Sequence, residues 1–293
     1  MDGAVLVDKP VGFTSNFVLQ KTRKVFDARK AGHAGTLDPL ASGLLIVLFG
    51  EATKFAGPLL DDDKEYLATL KLGEGTATGD AEGDVVERAD VPADLEARLP
   101  AALERFRGEI EQVPPMYSAL KRDGVPLYEL ARRGEAVERK PRRITIRHLE
   151  ALRCAAPLVD LRIRCSKGTY IRTLAEDLGR ALGSAAHLTA LRRTGLGGFS
   201  IAGAVPLDAL ESMSADERAA RVQPLEGLLS GLPRAALDAP DESRFRHGQA
   251  LAYEGAPGLY GVFGAGGAVI GLGRLDAGRL RPVRLVANPP ASG

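Results

Sequence analysis

A glycine-rich stretch near the N-terminus contains the first residues that could do chemistry. It runs Gly32-His33-Ala34-Gly35-Thr36-Leu37-Asp38-Pro39-Leu40-Ala41-Ser42-Gly43. Pro39 lacks a backbone N–H and pushes Asp38 toward an extended conformation, while the glycines allow tight turns. Asp38 is therefore expected on a stiff loop beside the apolar run at residues 44–49, where its carboxylate would lose part of its hydration. Taken alone, an Asp-Pro step is far more often a turn than a nucleophile.

A second candidate lies between an alternating strand pattern and a helical pattern. The segment is Cys165-Ser166-Lys167-Gly168-Thr169-Tyr170-Ile171-Arg172-Thr173. If the backbone is still extended there, Tyr170 and Arg172 point to the same side. A pocket at that junction would then present an aromatic ring together with a guanidinium. The plainer interpretation is a buried tyrosine beside a surface arginine.

The elements that must position Asp38 can be predicted from periodicity and from turn residues. Residues 5–7 predict a short strand, and Thr14 or Ser15 can cap a helix that runs to about residue 30. Residues 31–39 are predicted to form a loop. Residues 44–49 fit a buried strand or a short helix, and periodicity does not separate the two.

Farther along, the spacing of apolar residues predicts the elements around Tyr170. Expected strands cover residues 66–72, 144–146 (as a strand edge) and 159–165, and a polar, glycine-rich loop covers residues 73–84. Expected helices cover residues 94–107, where Pro100 forces a break or a new start, and residues 171–182, closed by Gly183. The Tyr170 segment therefore joins a strand to a helix.

Composition places the chain among ordinary soluble globular proteins. It has 293 residues, of which 45% are hydrophobic and 26% are charged. This suits one large domain, or a medium domain with a small one. The net charge of +1 excludes a bulk polycation, but it leaves room for a local basic face that binds nucleic acid.

The charges are segregated along the chain. Acidic residues concentrate at residues 61–63 and 74–94. Two basic groups follow: Arg132, Arg133, Arg139, Lys140, Arg142, Arg143 and Arg147, and then Arg162, Arg164, Lys167, Arg172, Arg180, Arg192 and Arg193. Each group is either a phosphate-binding surface or a solvated face.

Other kinds of site find little support. Cys154 and Cys165 form no C-x-x-C pair and the four histidines are scattered. Two buried thiols in a reducing compartment are expected, rather than a zinc site or a disulfide framework. The sequence contains no Walker A motif and no G-x-S-x-G elbow. The N-terminus lacks the features of a signal peptide and no apolar run is long enough to span a bilayer, so a cytoplasmic protein is expected.

The composition changes after residue 230. The tail is rich in Gly, Ala and Arg and contains short apolar pieces at residues 259–263 and 268–270. This pattern is typical of a small β domain with glycine turns. Two domains are therefore expected, at residues 1–230 and 231–293.

Six segments of the sequence together carry a specific family resemblance. The stretch from Gly32 to Gly43 closely resembles the nucleophile loop of TruB-type pseudouridine synthases. Further segments resemble other motifs of that family, in the family's order: Val7-Asp8-Lys9-Pro10-Val11-Gly12-Phe13-Thr14-Ser15, Asp63-Lys64-Glu65-Tyr66, Pro114-Pro115-Met116-Tyr117-Ser118-Ala119-Leu120-Lys121, Gly168-Thr169-Tyr170-Ile171-Arg172-Thr173 and His187-Leu188-Thr189-Ala190-Leu191-Arg192-Arg193-Thr194. The resemblance covers residues 1 to about 230, and the tail resembles the RNA-binding PUA domain more loosely.

The resemblance implies a fold and a reaction. The fold would be α/β (α+β), with a mixed, mostly antiparallel central sheet, flanking helices and a small C-terminal β domain. The reaction would be isomerisation of the uridine at position 55 in the T arm of tRNA to pseudouridine, in which the base is detached, turned and rejoined through carbon. The resemblance implies no metal or organic cofactor. The partner would be the tRNA substrate, and no obligatory protein partner is expected.

The resemblance also implies roles for single residues. Asp38 would attack the nucleotide or stabilise its charge, and Arg172 would hold that carboxylate in place and lower its pKa. Tyr66 would stack on the target base and could take a ribose proton. His33 would fill the stack vacated by the flipped base, unless it is a loop histidine bonded to nearby backbone. The remaining substrate-binding residues would be Tyr170, Leu191, Lys9, Arg143 and Arg192.

The basic groups would then hold tRNA phosphates, which gives position but little sequence readout. This role is expected for the run at residues 132–147 and for the pair Arg192-Arg193. Four arginines of the tail would extend the contact toward the acceptor stem: Arg274, Arg279, Arg281 and Arg284.

Two other functions stay open at the level of sequence. A tRNA-binding or tRNA-folding factor with little catalysis would need the basic face, but not Asp38, Tyr66 and Arg172 together. A guide-dependent relative inside a ribonucleoprotein would not act with protein and tRNA alone, and the stand-alone layout disfavours it. An assay for pseudouridine on unmodified tRNA separates these functions.

Overall fold

A computed structural model describes residues 1–118, 120–122, 124–135 and 137–287, without the side chains of Lys121, Pro126, Tyr128 and Arg132. Three parts of the sequence predictions therefore lie outside the described residues. They are Ala119 and the Lys121 side chain in the motif at residues 114–121, the Arg132 side chain in the basic run, and the last six residues of the tail.

Strands alternate with mostly short helices along the chain. The strands are β1 (Gly3–Lys9), β2 (Ala31–Ala34), β3 (Ala41–Phe49), β4 (Lys64–Leu72), β5 (Glu74–Thr76), β6 (Val85–Arg88), β7 (Gly108–Gln112), β8 (Lys121–Arg122), β9 (Val125–Pro126), β10 (Arg142–Ala155), β11 (Leu158–Cys165), β12 (Ala186–Leu196), β13 (Phe199–Ser200), β14 (Val205–Pro206), β15 (Arg234–Ala236), β16 (Leu251–Ala252), β17 (Gly258–Phe263), β18 (Val269–Asp276) and β19 (Arg279–Leu285). The helices are α1 (Ser15–Val25), α2 (Ala56–Asp61), α3 (Leu95–Glu104), α4 (Leu127–Arg132), α5 (Ile171–Ala181), α6 (Leu207–Ser212), α7 (Ala215–Ala219), α8 (Leu225–Leu228) and α9 (Ala239–Arg246), with 3₁₀ turns at Gly50–Phe55 and Ile201–Gly203.

A large mixed sheet forms the centre of the structure. Within the described residues it has ten strands in the order β14-β1-β3-β12-β4-β11-β10-β7, with β2 added to β3 and β13 added to β12. The pairs β1–β14 and β3–β12 are parallel, and the other pairs are antiparallel. This arrangement confirms the α/β (α+β) class with a mostly antiparallel central sheet.

The apolar run at residues 44–49 is a strand, which periodicity alone did not decide. Leu45, Val47 and Phe49 pack on one side of the sheet against α1 and α6. Leu44, Ile46 and Leu48 pack on the other side, in a core with residues of α2 and α8. Because both faces of β3 are buried, its sequence is apolar without alternation.

A second apolar layer covers the other half of the sheet. Residues of β4, β10, β11 and β12 pack with α3 and α5 in one core. The strand predicted at residues 159–165 and the helix predicted at residues 171–182 are confirmed as β11 and α5. The buried face of α5 brings the first turn of that helix, which contains Arg172, against the sheet.

The tail forms a β domain with its own core, as expected. Its described strands pair in the order β15-β17-β18-β19-β16, around Phe245, Val262, Ile270 and other apolar residues. A second cluster, which includes Phe55 and Phe263, joins this domain to the 3₁₀ turn that follows β3. Lys54 of the same turn also contacts the tail, because its Nζ donates a hydrogen bond to the carbonyl of Leu285 at 2.8 Å.

Several element predictions were wrong in detail. Helix α1 ends at Val25 rather than near residue 30, because Asp27 takes a left-handed φ of 46°. Residues 31–34 form β2 rather than a loop, and residues 74–76 form β5 within the predicted glycine-rich loop. Pro100 lies inside α3 without breaking it.

Two further predictions, one for residues 144–146 and one for the cysteines, were wrong in part. Residues 144–146 belong to the long strand β10, which has neighbours on both sides and is not a sheet edge. Cys165 is buried as expected, but Cys154 is only half-buried, and both are free thiols. Among the helices of the described ranges, none has the length and apolar character needed to cross a bilayer.

Candidate active site

Asp38 and Arg172 form an ion pair, as the sequence predicted for these two side chains. Nη2 of Arg172 lies 3.0 Å from Oδ2 of Asp38. Asp38 comes from the loop between β2 and β3, and Arg172 from the first turn of α5. The Arg172 side chain is 7% exposed and that of Asp38 is 40% exposed. A fixed guanidinium therefore presents a reachable carboxylate.

The Arg172 guanidinium is held by more than Asp38. Nη1 donates to the carbonyl of Thr78 at 3.0 Å and Nη2 donates to the carbonyl of Tyr117 at 2.7 Å. Nε lies 3.6 Å from Oδ2 of Asp80, whose side chain is only 4% exposed. Each nitrogen of the planar fork thus has a partner, which fixes its orientation.

Asp80 is a buried neighbour of Arg172 that the sequence interpretation missed. Its carboxylate accepts hydrogen bonds from the Thr78 hydroxyl at 2.5 Å and from the Glu82 backbone N–H at 3.1 Å. The sequence places it in an acidic, glycine-rich segment that resembles an exposed loop. The sequence offers one weak sign of this position, which is that Asp80 directly follows Gly79 in a polar segment.

The electrostatic balance at Asp38 differs from the expectation. Burial raises the pKa of Asp38 above its ordinary value of 3.8, and the negative charge of Asp80 adds to that effect. Arg172 and Lys9 act in the opposite direction. The expected lowering by Arg172 is present, but the loss of hydration outweighs it.

Arg193 is the clearest correction among the basic residues. It is 1% exposed, and it donates from Nε to the carbonyl of Leu44 at 2.7 Å and from Nη2 to the carbonyl of Gly35 at 3.0 Å. The prediction that it holds a phosphate is therefore wrong. It braces both ends of the Asp38 loop instead, because Gly35 is the first residue of that loop and Leu44 lies in β3 just after it.

Gly43 allows this bracing because it leaves room for the Arg193 backbone. It lies opposite Arg193 in the parallel pair β3–β12. Its φ is +103°, and a Cβ there would overlap the carbonyl oxygen of Arg193. A residue with a side chain would force the two strands apart next to Asp38.

Tyr66 and Leu191 lie on the strands beside the Asp38 loop. Tyr66 on β4 is 9% exposed and pairs with Arg193 on β12. Leu191 on β12 is opposite Ala41 of β3 and Ala68 of β4. Burial raises the pKa of Tyr66, and the charge of Arg193 opposes that rise. Tyr66 is therefore a neutral phenol at neutral pH.

Tyr170 immediately precedes α5 and is held through its backbone. Its N–H donates to Oε1 of Gln112 at 2.8 Å, and Nε2 of Gln112 donates to its carbonyl at 3.1 Å. This reciprocal contact from β7 was not predicted. Burial raises the pKa of Tyr170, which leaves its ring a neutral, half-buried wall beside Arg172.

Lys9 and His33 line the same region from β1 and β2. Lys9 is fully buried, and its Nζ donates to the carbonyl of Pro10 at 2.9 Å. Burial lowers the pKa of Lys9 to about 8, although the charges of Asp38 and Glu82 raise it. His33 is half-buried, its Nδ1 has no hydrogen-bond partner within the described residues, and burial lowers its pKa. His33 is therefore neutral at neutral pH.

Arg192 and Arg143 are already paired with carboxylates. Arg192 makes a two-pronged contact with Asp8, at 3.0 and 2.6 Å. Nη1 of Arg143 lies 3.3 Å from Oε1 of Glu109 at the exposed end of β10. The described contacts therefore place Arg143 against Glu109 and show none between Arg143 and Asp38.

Charges that are segregated in the sequence lie together in the fold. Oδ2 of Asp63 is 2.6 Å from Nε of Arg147 and 3.6 Å from Nε of Arg164. Oδ1 of Asp61 is 2.7 Å from Nζ of Lys167. Part of each basic group is therefore neutralised within the protein. The described part of the chain contains no group of three or more His, Cys, Asp or Glu side chains that could hold a metal ion.

Comparisons with known proteins show the family to which the chain belongs. The family description "TruB family pseudouridylate synthase (N terminal domain)" matches residues 23–171. The tRNA pseudouridine synthase B of Burkholderia mallei (strain NCTC 10247) is 55% identical over 298 residues, covering 98% of each chain. The chain belongs to the TruB family of pseudouridine synthases. It is therefore an isomerase of the class that converts uridine to pseudouridine.

Other TruB-family comparisons cover the rest of the chain. The descriptions "tRNA pseudouridylate synthase B C-terminal domain" and "Pseudouridine synthase II TruB, C-terminal" match residues 172–230 and 233–286. The tRNA pseudouridine synthase B of Ralstonia nicotianae is 53% identical and covers 97% of this chain and 94% of the relative. In an archaeal box H/ACA sRNP Nop10-Cbf5 complex, a chain 26% identical aligns with a TM-score of 0.75 over 99% of this chain and 87% of its own.

Proposed function

We propose that this TruB-family enzyme converts the uridine at position 55 in the T arm of tRNA to pseudouridine, with Asp38 as its catalytic carboxylate. The observation that carries the proposal is the Asp38–Arg172 pair, in which a buried guanidinium lies 3.0 Å from a carboxylate that is 40% exposed. The relatives named tRNA pseudouridine synthase B support tRNA as the substrate.

The reaction is a rearrangement that needs no oxidant or reductant. The bond between N1 of uracil and C1′ of ribose breaks, the base turns, and a bond forms between C5 and C1′. N1 gains a proton and C5 loses one, so the product is an isomer of the substrate. Attack by Asp38 at the ribose and attack at the base both require the ionised carboxylate, which Arg172 favours.

The side chains on the strands beside Asp38 would suit an extruded uracil. Tyr66 and Leu191 would offer an aromatic and an aliphatic surface, and stacking on an aromatic ring contributes about 1–3 kcal/mol per base. That gain offsets part of the cost of flipping the base, which is roughly a few kcal/mol. His33, neutral and half-buried, would occupy the vacated stack. Tyr66 would have to lose its phenolic proton before it could take a proton from ribose, and its raised pKa opposes that loss. We therefore assign stacking as its first role.

The rest of the molecule would position the tRNA. We propose that residues 1–230 form the catalytic domain and residues 231–293 an RNA-binding domain. Tyr170 would contact the target nucleotide. Lys9 is fully buried, so it would act only through its charge beside Asp38 and not by direct contact with the nucleotide. Arg143 and Arg192 would contact phosphates at its rim, for which each has to exchange its present carboxylate partner. We place this activity in the cytoplasm, where tRNA is matured.

The proposal is tested with purified protein and an unmodified tRNA transcript, with no other component. Pseudouridine should appear at position 55, and a transcript with cytidine there should stay unmodified. Asp38→Asn should lower turnover by roughly 10³-fold or more while tRNA still binds, because the variant keeps the shape and loses the charge. Asp94→Asn, a surface aspartate paired with Arg98, is the matched control and should keep normal turnover.

Each alternative has a distinct result in this assay. A tRNA-binding or tRNA-folding factor would bind the transcript without forming pseudouridine in the wild type. A guide-dependent enzyme would stay inactive until guide RNA and protein partners were supplied. Normal turnover by Asp38→Asn would overturn the assignment of the catalytic carboxylate.

A further inference from the structure

Ser15 connects the start of α1 to the loop that contains Asp38. Its hydroxyl accepts a hydrogen bond from the Leu37 N–H at 2.8 Å and donates one to the Leu37 carbonyl at 3.0 Å. Ser15 is 1% exposed, and the contact joins residues 22 positions apart. One side chain thus satisfies both backbone groups of the residue immediately before Asp38.

The residue after Asp38 is held by the same junction. The Gly12 N–H donates to the carbonyl of Pro39 at 2.8 Å, and the Ala41 N–H donates to the carbonyl of Asp38 at 3.0 Å. The Leu37 side chain is itself 3% exposed in the core. With the backbone fixed on both sides, the freedom left to Asp38 is mainly in its own side-chain torsions.

The Ser15 hydroxyl is not needed to start its own helix. The N-cap of α1 is Thr14, whose side chain accepts a hydrogen bond from the Phe17 N–H at 3.1 Å. Ser15 is the first residue of the helix proper, and its hydroxyl is directed to Leu37 instead. The Ser15 hydroxyl donates one hydrogen bond to Leu37 and accepts another from it, and the methyl group of an alanine can do neither.

We propose that Ser15 is a positioning residue for the isomerase reaction, because its hydroxyl fixes the Leu37–Asp38 backbone so that the Asp38 carboxylate meets Arg172 at 3.0 Å. The inference rests on the proposed role of Asp38. A shift of about 1 Å at a reacting group can cost roughly 10²-fold in rate. Loss of Ser15 should therefore reduce the rate constant without weakening tRNA binding.

The test compares Ser15→Ala with Thr14→Ala on the unmodified tRNA transcript. Ser15→Ala should lower kcat by roughly 10²-fold with Kd for tRNA unchanged. Thr14→Ala removes the cap of the same helix and lowers the melting temperature, but it does not touch Leu37, so its kcat should match the wild type. Both variants are assayed well below their melting temperatures.

A pH profile separates positioning from simple loosening of the fold. Arg172 lowers the pKa of Asp38, so a carboxylate that drifts from Arg172 becomes ionised only at higher pH. The acid limb of kcat should therefore move to higher pH in Ser15→Ala and stay in place in Thr14→Ala. Ser15→Thr keeps the hydroxyl and should recover most of the lost kcat.

Three results would overturn the inference: wild-type kcat in Ser15→Ala, an equal loss of kcat in Thr14→Ala, or a folded Ser15→Thr as slow as Ser15→Ala. These results are distinct from failure of the proposed function, in which the wild type itself would form no pseudouridine.

Discussion

Single residues in this site have unequal tasks. Arg172 has two backbone carbonyls and two carboxylates around it and is almost completely buried. Asp38 has the reverse character, since its carboxylate is open to a ligand and its pKa is raised by partial burial. The arginine is therefore the fixed partner and the aspartate the presented one. Pre-oriented charge of this kind acts without reorganisation during the reaction.

Arg172→Lys should show that the shape of the guanidinium matters as well as its charge. A lysine has no planar fork and cannot reach Thr78, Tyr117 and Asp38 together. We expect kcat to fall by roughly 10²-fold, the usual cost of removing one oriented polar group from an active site. Arg180→Lys is the matched control on the same helix, where the side chain is 63% exposed and paired with Glu176 and Asp177. Pseudouridine formation by both variants checks the prediction, and equal rates would contradict it.

The pH dependence of the reaction should report on Asp38. In the proposed reaction the Asp38 carboxylate must be ionised, so kcat/KM should fall as the pH drops through its pKa, which lies above 3.8. Asp80→Asn removes a negative charge that raises this pKa. The acid limb of the profile should then move to lower pH, even if the rate on the plateau is reduced. An acid limb at the same pH or higher in Asp80→Asn would show that Asp80 does not act on Asp38 in this way.

Among the structural elements, β12 has the largest share of the site. It pairs in parallel with β3 and antiparallel with β4, so it lies between the Asp38 loop and Tyr66. Three successive residues then do different things. Leu191 packs against the core, Arg192 pairs with Asp8 at the surface, and Arg193 braces the loop from inside.

Gly43→Ala should test the packing of β3 on β12. The new methyl group would overlap the Arg193 carbonyl, and the φ of +103° disfavours any side chain. We expect the free energy of unfolding to fall by about 3 kcal/mol, from backbone strain and overpacking. Gly57→Ala is the control, because a Cβ there meets nothing within 4 Å, and helix propensity should leave stability unchanged or raise it by about 0.5 kcal/mol. Urea unfolding of both variants measures the difference, and equal midpoints would contradict the prediction.

Sequence patterns predicted the parts of the fold that have a local signal. The alternation at residues 159–165 and the helical spacing at residues 171–182 gave β11 and α5, and the motif resemblance gave Asp38 and Arg172. Residues 44–49 had no period to detect, since both faces of β3 are buried. Arg193 was assigned the wrong role and Asp80 was missed, for another reason. Their partners are distant in the chain, 149 residues apart in the case of Arg193 and Leu44, so only the fold reveals why these charges are buried.

At the scale of the whole molecule, the tail is attached through the element that follows β3. Phe55 is fully buried in a cluster with Phe263 and other residues of the tail. Glu51 pairs with Lys54 and also accepts a hydrogen bond from the Ala287 N–H at 2.6 Å. Because β3 begins shortly after Asp38, at Ala41, the tail is held at a set distance from the Asp38 loop. We therefore expect the tail to contact a part of the tRNA that is distant from the target uridine.

The tail arginines should therefore matter for intact tRNA and not for its isolated T stem-loop. Arg274 and Arg281 are exposed and lie directly opposite each other on β18 and β19, an arrangement of like charges that costs stability until an anion lies across it. For the double variant Arg274→Ala/Arg281→Ala we expect weaker binding of full-length tRNA, with the slope of log K against log salt reduced by roughly 0.7–0.9 for each phosphate that the protein no longer neutralises. Binding of the T stem-loop and kcat at saturation should not change.

Arg98→Ala, which removes an exposed arginine paired with Asp94 on α3, should leave both the slope and the affinity as in the wild type. If the double variant weakened the T stem-loop and the full-length tRNA equally, the tail would act on the catalytic domain and not on a distant part of the substrate.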